Sequence, residues 1–282
     1  MTEPLPAWSE PFVDPKGSLR RSLRLRGLTR EWAWGGATGR GVRVGIIDSG
    51  LENDHPQLHG RVVENVTVEI ADGEPDVVPD GGVDMFGHGT ACGAIIVGLA
   101  PEVELVSIRV LGPDLRGKGS AFAAGLEWAI EHGLQVCNLS LSSKSESLYP
   151  IFHDLADRAY FQGTALVSAA NNVPAPSYPS LFSSVLSVAA HAEPDPYRVY
   201  YNPSPPVEFG AWGVDVPIAW KDGGTTVATG NSFAAPHVAG LVALILSKHP
   251  GLSPFEVKAI LASVADNPGR RKAPRGRTGG RA

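Results

Sequence analysis

Three residues in this chain have the types and settings for nucleophilic acyl chemistry: Asp48, His88 and Ser232. A serine hydroxyl is a poor nucleophile at neutral pH. A neutral imidazole hydrogen-bonded to it takes its proton during attack and returns that proton to the leaving amine. A carboxylate then fixes the imidazole tautomer and stabilises the imidazolium. Each residue alone has a plainer role. Ser232 stands after Gly230-Asn231 at the head of an apolar run ending Leu244-Ile245-Leu246, where a serine ordinarily caps a helix. Asp48 closes the run Val42-Arg43-Val44-Gly45-Ile46-Ile47 and would ordinarily serve a turn. His88 lies between Gly87 and Gly89, and a lone histidine is usually structural. Their joint occurrence reverses those preferences.

The surrounding elements explain how such residues could meet. The stretch ending in Asp48 is almost continuously apolar, as in a central parallel strand buried on both faces, and sites in open α/β sheets form at the carboxyl ends of strands. Residues 105–111, 136–143, 165–172 and 185–190 read as further strands. Helices are expected over 28–34 with Thr29 as N-cap, after His88, around Phe122 to Ile130, from Ser232 onward, and over 253–261. In the last of these Ser253 caps, Pro254 takes the first position and Glu256 completes a capping box. Pro236 costs little if it lies in the first turn of the Ser232 helix, where its missing N–H has no intrahelical partner. The fold class is α/β, with a mainly parallel central sheet and helices on both faces.

Composition narrows the classes. The chain has 282 residues, of which 43% are hydrophobic and 19% charged, enough for one large domain. A net charge of −5 argues against a general nucleic-acid binder. No stretch has the length of a membrane span or the pattern of a signal peptide. The two cysteines, Cys92 and Cys137, do not make a disulfide scaffold, and a reducing, cytoplasmic location is expected. Cys92 reads as a small buried hydrophobe. Glu64, Glu69, Asp72, Glu74, Asp76, Asp80 and Asp84 read as a solvated loop face rather than a calcium loop. The basic stretch 267–282 reads as a disordered tail, and residues 1–27 as an arm that wraps the domain or is partly disordered.

Gly230-Asn231-Ser232-Phe233-Ala234-Ala235-Pro236-His237-Val238-Ala239-Gly240 resembles the nucleophile segment of subtilisin-like serine proteases, G-T-S-M-A-A-P-H-V-A-G. Asn231 stands for Thr and Phe233 for Met. Asp48-Ser49-Gly50 with His55-Pro56-Gln57-Leu58 resembles the family's aspartate motif, which puts His55 in a loop. Gly87-His88-Gly89-Thr90 resembles its histidine motif, with Ala91 for a second His. The order Asp, His, Ser is also the family's. The resemblance runs from Leu28 to about Asp266, so a peptidase domain is expected over 28–266 in a three-layer subtilisin-like fold. Beyond Asp266 the family's usual closing strand and final helix are expected to be absent.

The resemblance implies a serine endopeptidase that needs no metal or organic cofactor. It implies that Asn172, in Ala169-Ala170-Asn171-Asn172, donates to the oxyanion, with Asn171 in place of a glycine. It places two substrate-pairing edges at Leu115, Arg116 and Gly117 and at Ser140, Leu141 and Ser142, where Ser142 and Ser143 replace glycines that the family has. The residue before Tyr178-Pro179 falls near the floor of the first specificity pocket. It is Ser177, uncharged, so an uncharged residue is expected before the cut. The loop after Gly98 is short, so the calcium site that many secreted relatives build there is expected to be absent. The residues ahead of the core look too few for the family's long pro-domain, and none is expected. That points to a narrow-specificity intracellular processing protease, suited to maturing a partner precursor peptide and needing neither nucleic acid nor membrane. The alternatives are a catalytically impaired peptide-binding relative and a protease subunit of a larger assembly.

Overall fold

The apolar run that ends in Asp48 is an inner strand of a nine-stranded sheet. This holds in a computed structural model of the chain, which describes residues 5–18, 27–204 and 206–267. In chain order the helices are α1 (Glu10–Val13), α2 (Pro15–Ser18), α3 (Arg30–Trp34), α4 (His88–Leu99), α5 (Gly119–Glu131), α6 (Tyr149–Gln162), α7 (Asn231–Lys248) and α8 (Pro254–Val264). The strands are β1 (Arg43–Asp48), β2 (Val62–Ala71), β3 (Glu74–Pro79), β4 (Glu104–Arg109), β5 (Val136–Leu139), β6 (Ala165–Ala169), β7 (Leu186–His191), β8 (Tyr200–Tyr201), β9 (Phe209–Trp212), β10 (Val216–Trp220) and β11 (Gly224–Ala228).

The sheet order is β3-β2-β4-β1-β5-β6-β7-β9-β8. Every pairing from β2 to β9 is parallel, and the edge strands β3 and β8 are antiparallel. From β1 the chain runs first to β2 and β4 on one side, then to β5 and beyond on the other. Asp48 thus ends the strand at which the order reverses, the crevice where ligands bind in open α/β sheets. One core cluster joins α4, α7 and α8 to one sheet face, and a second joins α5 and α6 to the opposite face. This is the three-layer α/β arrangement. Among the described residues, no helix is long and apolar enough to cross a membrane.

Helix signals in the sequence correspond closely to the structure. Thr29 Oγ1 accepts from Trp32 N at 3.1 Å, and Ser253 and Glu256 form the reciprocal capping box. Elsewhere the structure corrects the sequence. Residues 64–84 are not one loop: β2 and β3 form a hairpin whose two-residue connection is Asp72-Gly73, both at positive φ. That is the Asp-Gly signature of a tight hairpin turn, and the alternation Val66-Thr67-Val68-Glu69-Ile70 is that of a half-buried strand. Its acidic side chains follow that alternation, and Asp80 is held by Arg109 through two bonds of 3.0 Å. The hairpin β10–β11 and the helix α6 had no counterpart in the sequence reading. Residues 5–14 pack on the domain, with Phe12 buried among Ala170, Ala189, Tyr200 and Val207. The expected disorder of the tail falls almost entirely outside the described residues. Of that stretch only Asn267 is described, and it brackets Tyr201 with side-chain bonds to N and O.

Candidate active site

β1 delivers Asp48, fully buried, to the end of the sheet, and α4 begins at His88 directly beside it. His88 Nδ1 lies 2.9 Å from both Asp48 oxygens, while Ser49 N donates to Oδ1 at 2.7 Å. The approach is close enough to require Gly89: a Cβ there would lie 2.0 Å from Gly50 O. Burial pulls the His88 pKa down, but the charge and hydrogen bond of Asp48, helped by the charge of Asp84, outweigh it. The net value is raised above 6.5. Fixing Nδ1 on the carboxylate leaves Nε2 as the nitrogen open to the cleft.

The His88 loop depends on Asp84, which the sequence reading had counted only as one acid among several. Its carboxylate accepts from Ser49 Oγ (2.8 Å), Phe86 N (3.0 Å), Gly87 N (2.7 Å), Thr90 N (2.8 Å) and Thr90 Oγ1 (2.6 Å). An Asp shortly before a helix start, bonding successive backbone N–H groups, is the local signal that could have found it. Asp84→Asn removes charge-assisted bonds worth ~1.5–3 kcal/mol each, so kcat/KM should fall roughly 10- to 100-fold. The acid limb of its pH profile should also move. With neutral His88 as the expected base, activity should fall as pH drops through its pKa; losing the charge of Asp84 lowers that pKa and should shift the limb to lower pH. A limb unmoved in Asp84→Asn would contradict the electrostatic role.

α7 supplies the serine. Pro236 lies inside this helix, in its second turn rather than its first. Its missing N–H frees the carbonyl four residues back, which is that of Ser232. Ser140 Oγ donates to this carbonyl at 2.8 Å and is itself bonded by Asn138 Nδ2 at 3.0 Å. Ser140 thus steadies the serine from beneath. Ser232 and His88 line one cavity of about 720 Å³ with Phe86, Leu115, Trp220 and Phe233. Phe233 packs against the imidazole at a ring-centroid distance of 5.3 Å. No hydrogen bond joins Ser232 Oγ to His88 in this structure, and in unliganded sites such bonds often tighten only when substrate arrives. His55 stands apart, its Nε2 bridging Trp220 O and Gly224 O.

Asn172 adjoins Ser232 across a second recess of about 180 Å³, lined also by Ser140, Leu141, Ser142, Ala169, Ala170 and Asn171. Its Oδ1 accepts from Asn231 N at 2.9 Å, which leaves Nδ2 as the available donor. Asn171 is not among the residues of positive φ; its Oδ1 instead accepts from Val173 N at 2.9 Å. The glycine expected at that position was therefore not needed for its backbone freedom. Ser143 exchanges both backbone bonds with Tyr178, an extended geometry that suits a serine. A third recess, about 360 Å³, lies between the segments carrying Leu115, Arg116 and Gly117 and those carrying Leu141 and Ser142, over Leu111 and Phe122. Ser177 is buried, its hydroxyl 2.9 Å from that of Ser180, and it lines none of the three recesses.

Asp48, His88 and Cys92 bring potential metal-ligand atoms within 4.8 Å of one another. The cluster is poorly suited to a metal. Nδ1 is engaged by Asp48, and burial, with the charge of Asp48, raises the Cys92 thiol well above its ordinary value, so it stays protonated. Cys92 Sγ instead contacts Ser140 Oγ and Ser232 O.

The family model described as the subtilase family matches residues 39–279, past Asp266 where the sequence resemblance had been drawn to a close. Subtilisin DY of Bacillus licheniformis is 35% identical over 249 residues, covering 83% of this chain and 87% of its own. Subtilisin BL of Lederbergia lenta is 33% identical over 245 residues, with the same coverage. The crystal structure of a cold adapted subtilisin-like serine proteinase superposes with a TM-score of 0.66 at 26% identity, covering 90% of this chain and 93% of that one.

Proposed function

The chain belongs to the subtilase family of serine endopeptidases, and from that premise we propose that Asp48, His88 and Ser232 are its catalytic residues, with Asn172 as oxyanion donor. The observation that carries this is the paired 2.9 Å contact of Asp48 with His88 Nδ1, beside a cleft that His88 and Ser232 share. Ser232 Oγ attacks the scissile carbonyl and His88 Nε2 takes its proton. The tetrahedral oxyanion is held by Asn172 Nδ2 and the Ser232 backbone N–H. His88 then protonates the leaving amine, and water repeats the sequence on the acyl-enzyme. Asp48 keeps the tautomer and stabilises the imidazolium.

The substrate is a peptide in extended form, paired by its backbone between residues 115–117 and 140–142, a mode that carries little side-chain preference itself. Preference comes from the recesses. No charged residue lines the 180 Å³ recess, which supports an uncharged side chain before the cut. The recess over Leu111 and Phe122 takes a bulky apolar side chain further upstream, with Arg116 and Lys118 at its rim favouring an acidic neighbour. The role proposed is narrow-specificity processing of a precursor peptide in the cytoplasm. The two free, buried cysteines suit a reducing compartment. Cleavage of a diverse peptide library, read by mass spectrometry, tests this. The expected pattern is a small set of cuts after uncharged residues with an apolar residue upstream, while casein is left largely intact. Cuts after Lys or Arg, or indiscriminate degradation of casein, would overturn the specificity; a library left whole would favour the peptide-binding alternative.

A further inference from the structure

One departure from the family's nucleophile segment has a structural partner elsewhere in the chain. Asn231, standing where the resemblance expects Thr, is fully buried. Its Oδ1 accepts from Ala190 N at 2.9 Å, and its Nδ2 is shared among Ala7 O (2.9 Å), Ala170 O (3.1 Å) and Asn171 O (3.3 Å). Ala7 answers on its other side: its N–H donates to Asn172 O at 2.8 Å. Asn231 N donates to Asn172 Oδ1 at 2.9 Å. A closed ring of three hydrogen bonds therefore joins Ala7, Asn172 and Asn231. Two of its members flank the proposed oxyanion hole, since Asn172 supplies one donor and Asn231 immediately precedes the residue that supplies the other.

The ring is built at some conformational cost. Trp8 takes φ of 71°, the left-handed region that bulky residues avoid. The turn it closes, with Ser9 N on Pro6 O at 3.2 Å, presents both main-chain groups of Ala7 to the domain. Such strain persists only where the surroundings enforce it. Here the anchor is Phe12, 2% exposed, whose ring sits so close to Gly210 that a Cβ there would lie 2.5 Å from Phe12 Cδ1. A cleft of about 970 Å³ lies between the segment and Pro174, Asn202, Ser204, Pro206 and Val207. Pro6 and Ser9 are buried and Trp8 packs beside Phe12, while Ala7 makes the segment's hydrogen bonds to Asn172 and Asn231.

We propose that the segment Pro6–Phe12 is a positioning element of the oxyanion hole. Ala7 clamps Asn172 and Asn231, Phe12 pins the clamp, and release of the segment lowers turnover while leaving the substrate cleft intact. This rests on the assignment of Ser232 and Asn172 made above.

The test uses the full chain with Phe12→Ala, Phe12→Leu and Gly210→Ala. Phe12→Ala should lower kcat about tenfold, the worth of one lost positioning hydrogen bond, with KM within about twofold. Phe12→Leu should recover most of it. Inhibition by a peptide aldehyde, whose adduct with Ser232 places its oxygen in the hole, should weaken in step with kcat, while inhibition by a cleaved product should not change. In an Asn172→Leu background Phe12→Ala should cost nothing further. A lower Tm with kcat unchanged, or the same kcat loss in both backgrounds, would overturn the clamp. Should Phe12→Ala not fold, Gly210→Ala, which displaces the ring from the opposite side, carries the same comparison. Wild-type chain that neither hydrolyses peptide nor reacts with a fluorophosphonate would remove the active-site assignment, and the clamp with it. An active wild type with indifferent variants would remove the clamp alone.

Discussion

Ser232→Ala should abolish peptide hydrolysis and covalent labelling together. A fluorophosphonate adds once to the wild-type chain, by intact mass, and not to the variant. The loss in kcat should be about a millionfold, the size seen when the nucleophile of subtilisin itself is removed. Two features make this a clean experiment. The Ser232 hydroxyl carries no structural hydrogen bond; the bonds that hold this turn go to the Ser232 carbonyl, from Ser140 and Cys92, and survive the substitution. The position is helical, and alanine is the residue best tolerated there. The variant should therefore unfold at nearly the wild-type temperature. An adduct that persists in Ser232→Ala would place the activated nucleophile elsewhere. A wild type that folds but is not labelled would mean that His88 and Ser232 do not engage as they stand.

How much of this was legible in the sequence follows from the range of the interactions. Elements specified by local chemistry were readable: the Thr29 cap, the Ser253–Glu256 box, and the buried strand that ends in Asp48. So were the residues that the structure gathers at the cleft, because short motifs fix their types. Asp84 went unnoticed because it was read as one more acid of a solvated stretch, although four of its five donor groups, those of Phe86, Gly87 and Thr90, lie close to it in sequence and only Ser49 is brought to it by the fold. Pro236 lies in the second turn of α7, and its consequence, a freed Ser232 carbonyl taken by Ser140, is a contact between residues far apart in the chain that no local pattern announces. The hairpin β2–β3 was obscured by its acidic side chains, although its period-two pattern and Asp-Gly turn were in plain view. The role of Asn231 was beyond reach for a different reason. Its partners are the carbonyls of Ala7, Ala170 and Asn171 and the N–H of Ala190, backbone groups that carry no signature of their own.

Asn172→Leu should lower kcat by about 10²–10³ with little change in KM, the effect of removing one oxyanion-hole donor in subtilisin. The split between the two constants is the informative part. In the proposed binding mode extended substrate is held by residues 115–117 and 140–142 and by recesses to which Asn172 contributes only part of one wall, so ground-state binding should persist. What is lost is a donor that meets its partner only when the carbonyl oxygen becomes an oxyanion, and an interaction made only in the transition state appears in kcat. Asn172→Asp sharpens the comparison. It keeps the oxygen that accepts from Asn231 N, so the turn is preserved, but it replaces the donor with a charge that repels the oxyanion. It should therefore fold at least as well as Asn172→Leu and turn over no faster. If Asn172→Asp instead retained near wild-type kcat, the Asn172 side chain would have to be assigned to holding Asn231 in place, and the oxyanion would need another donor beside the Ser232 N–H.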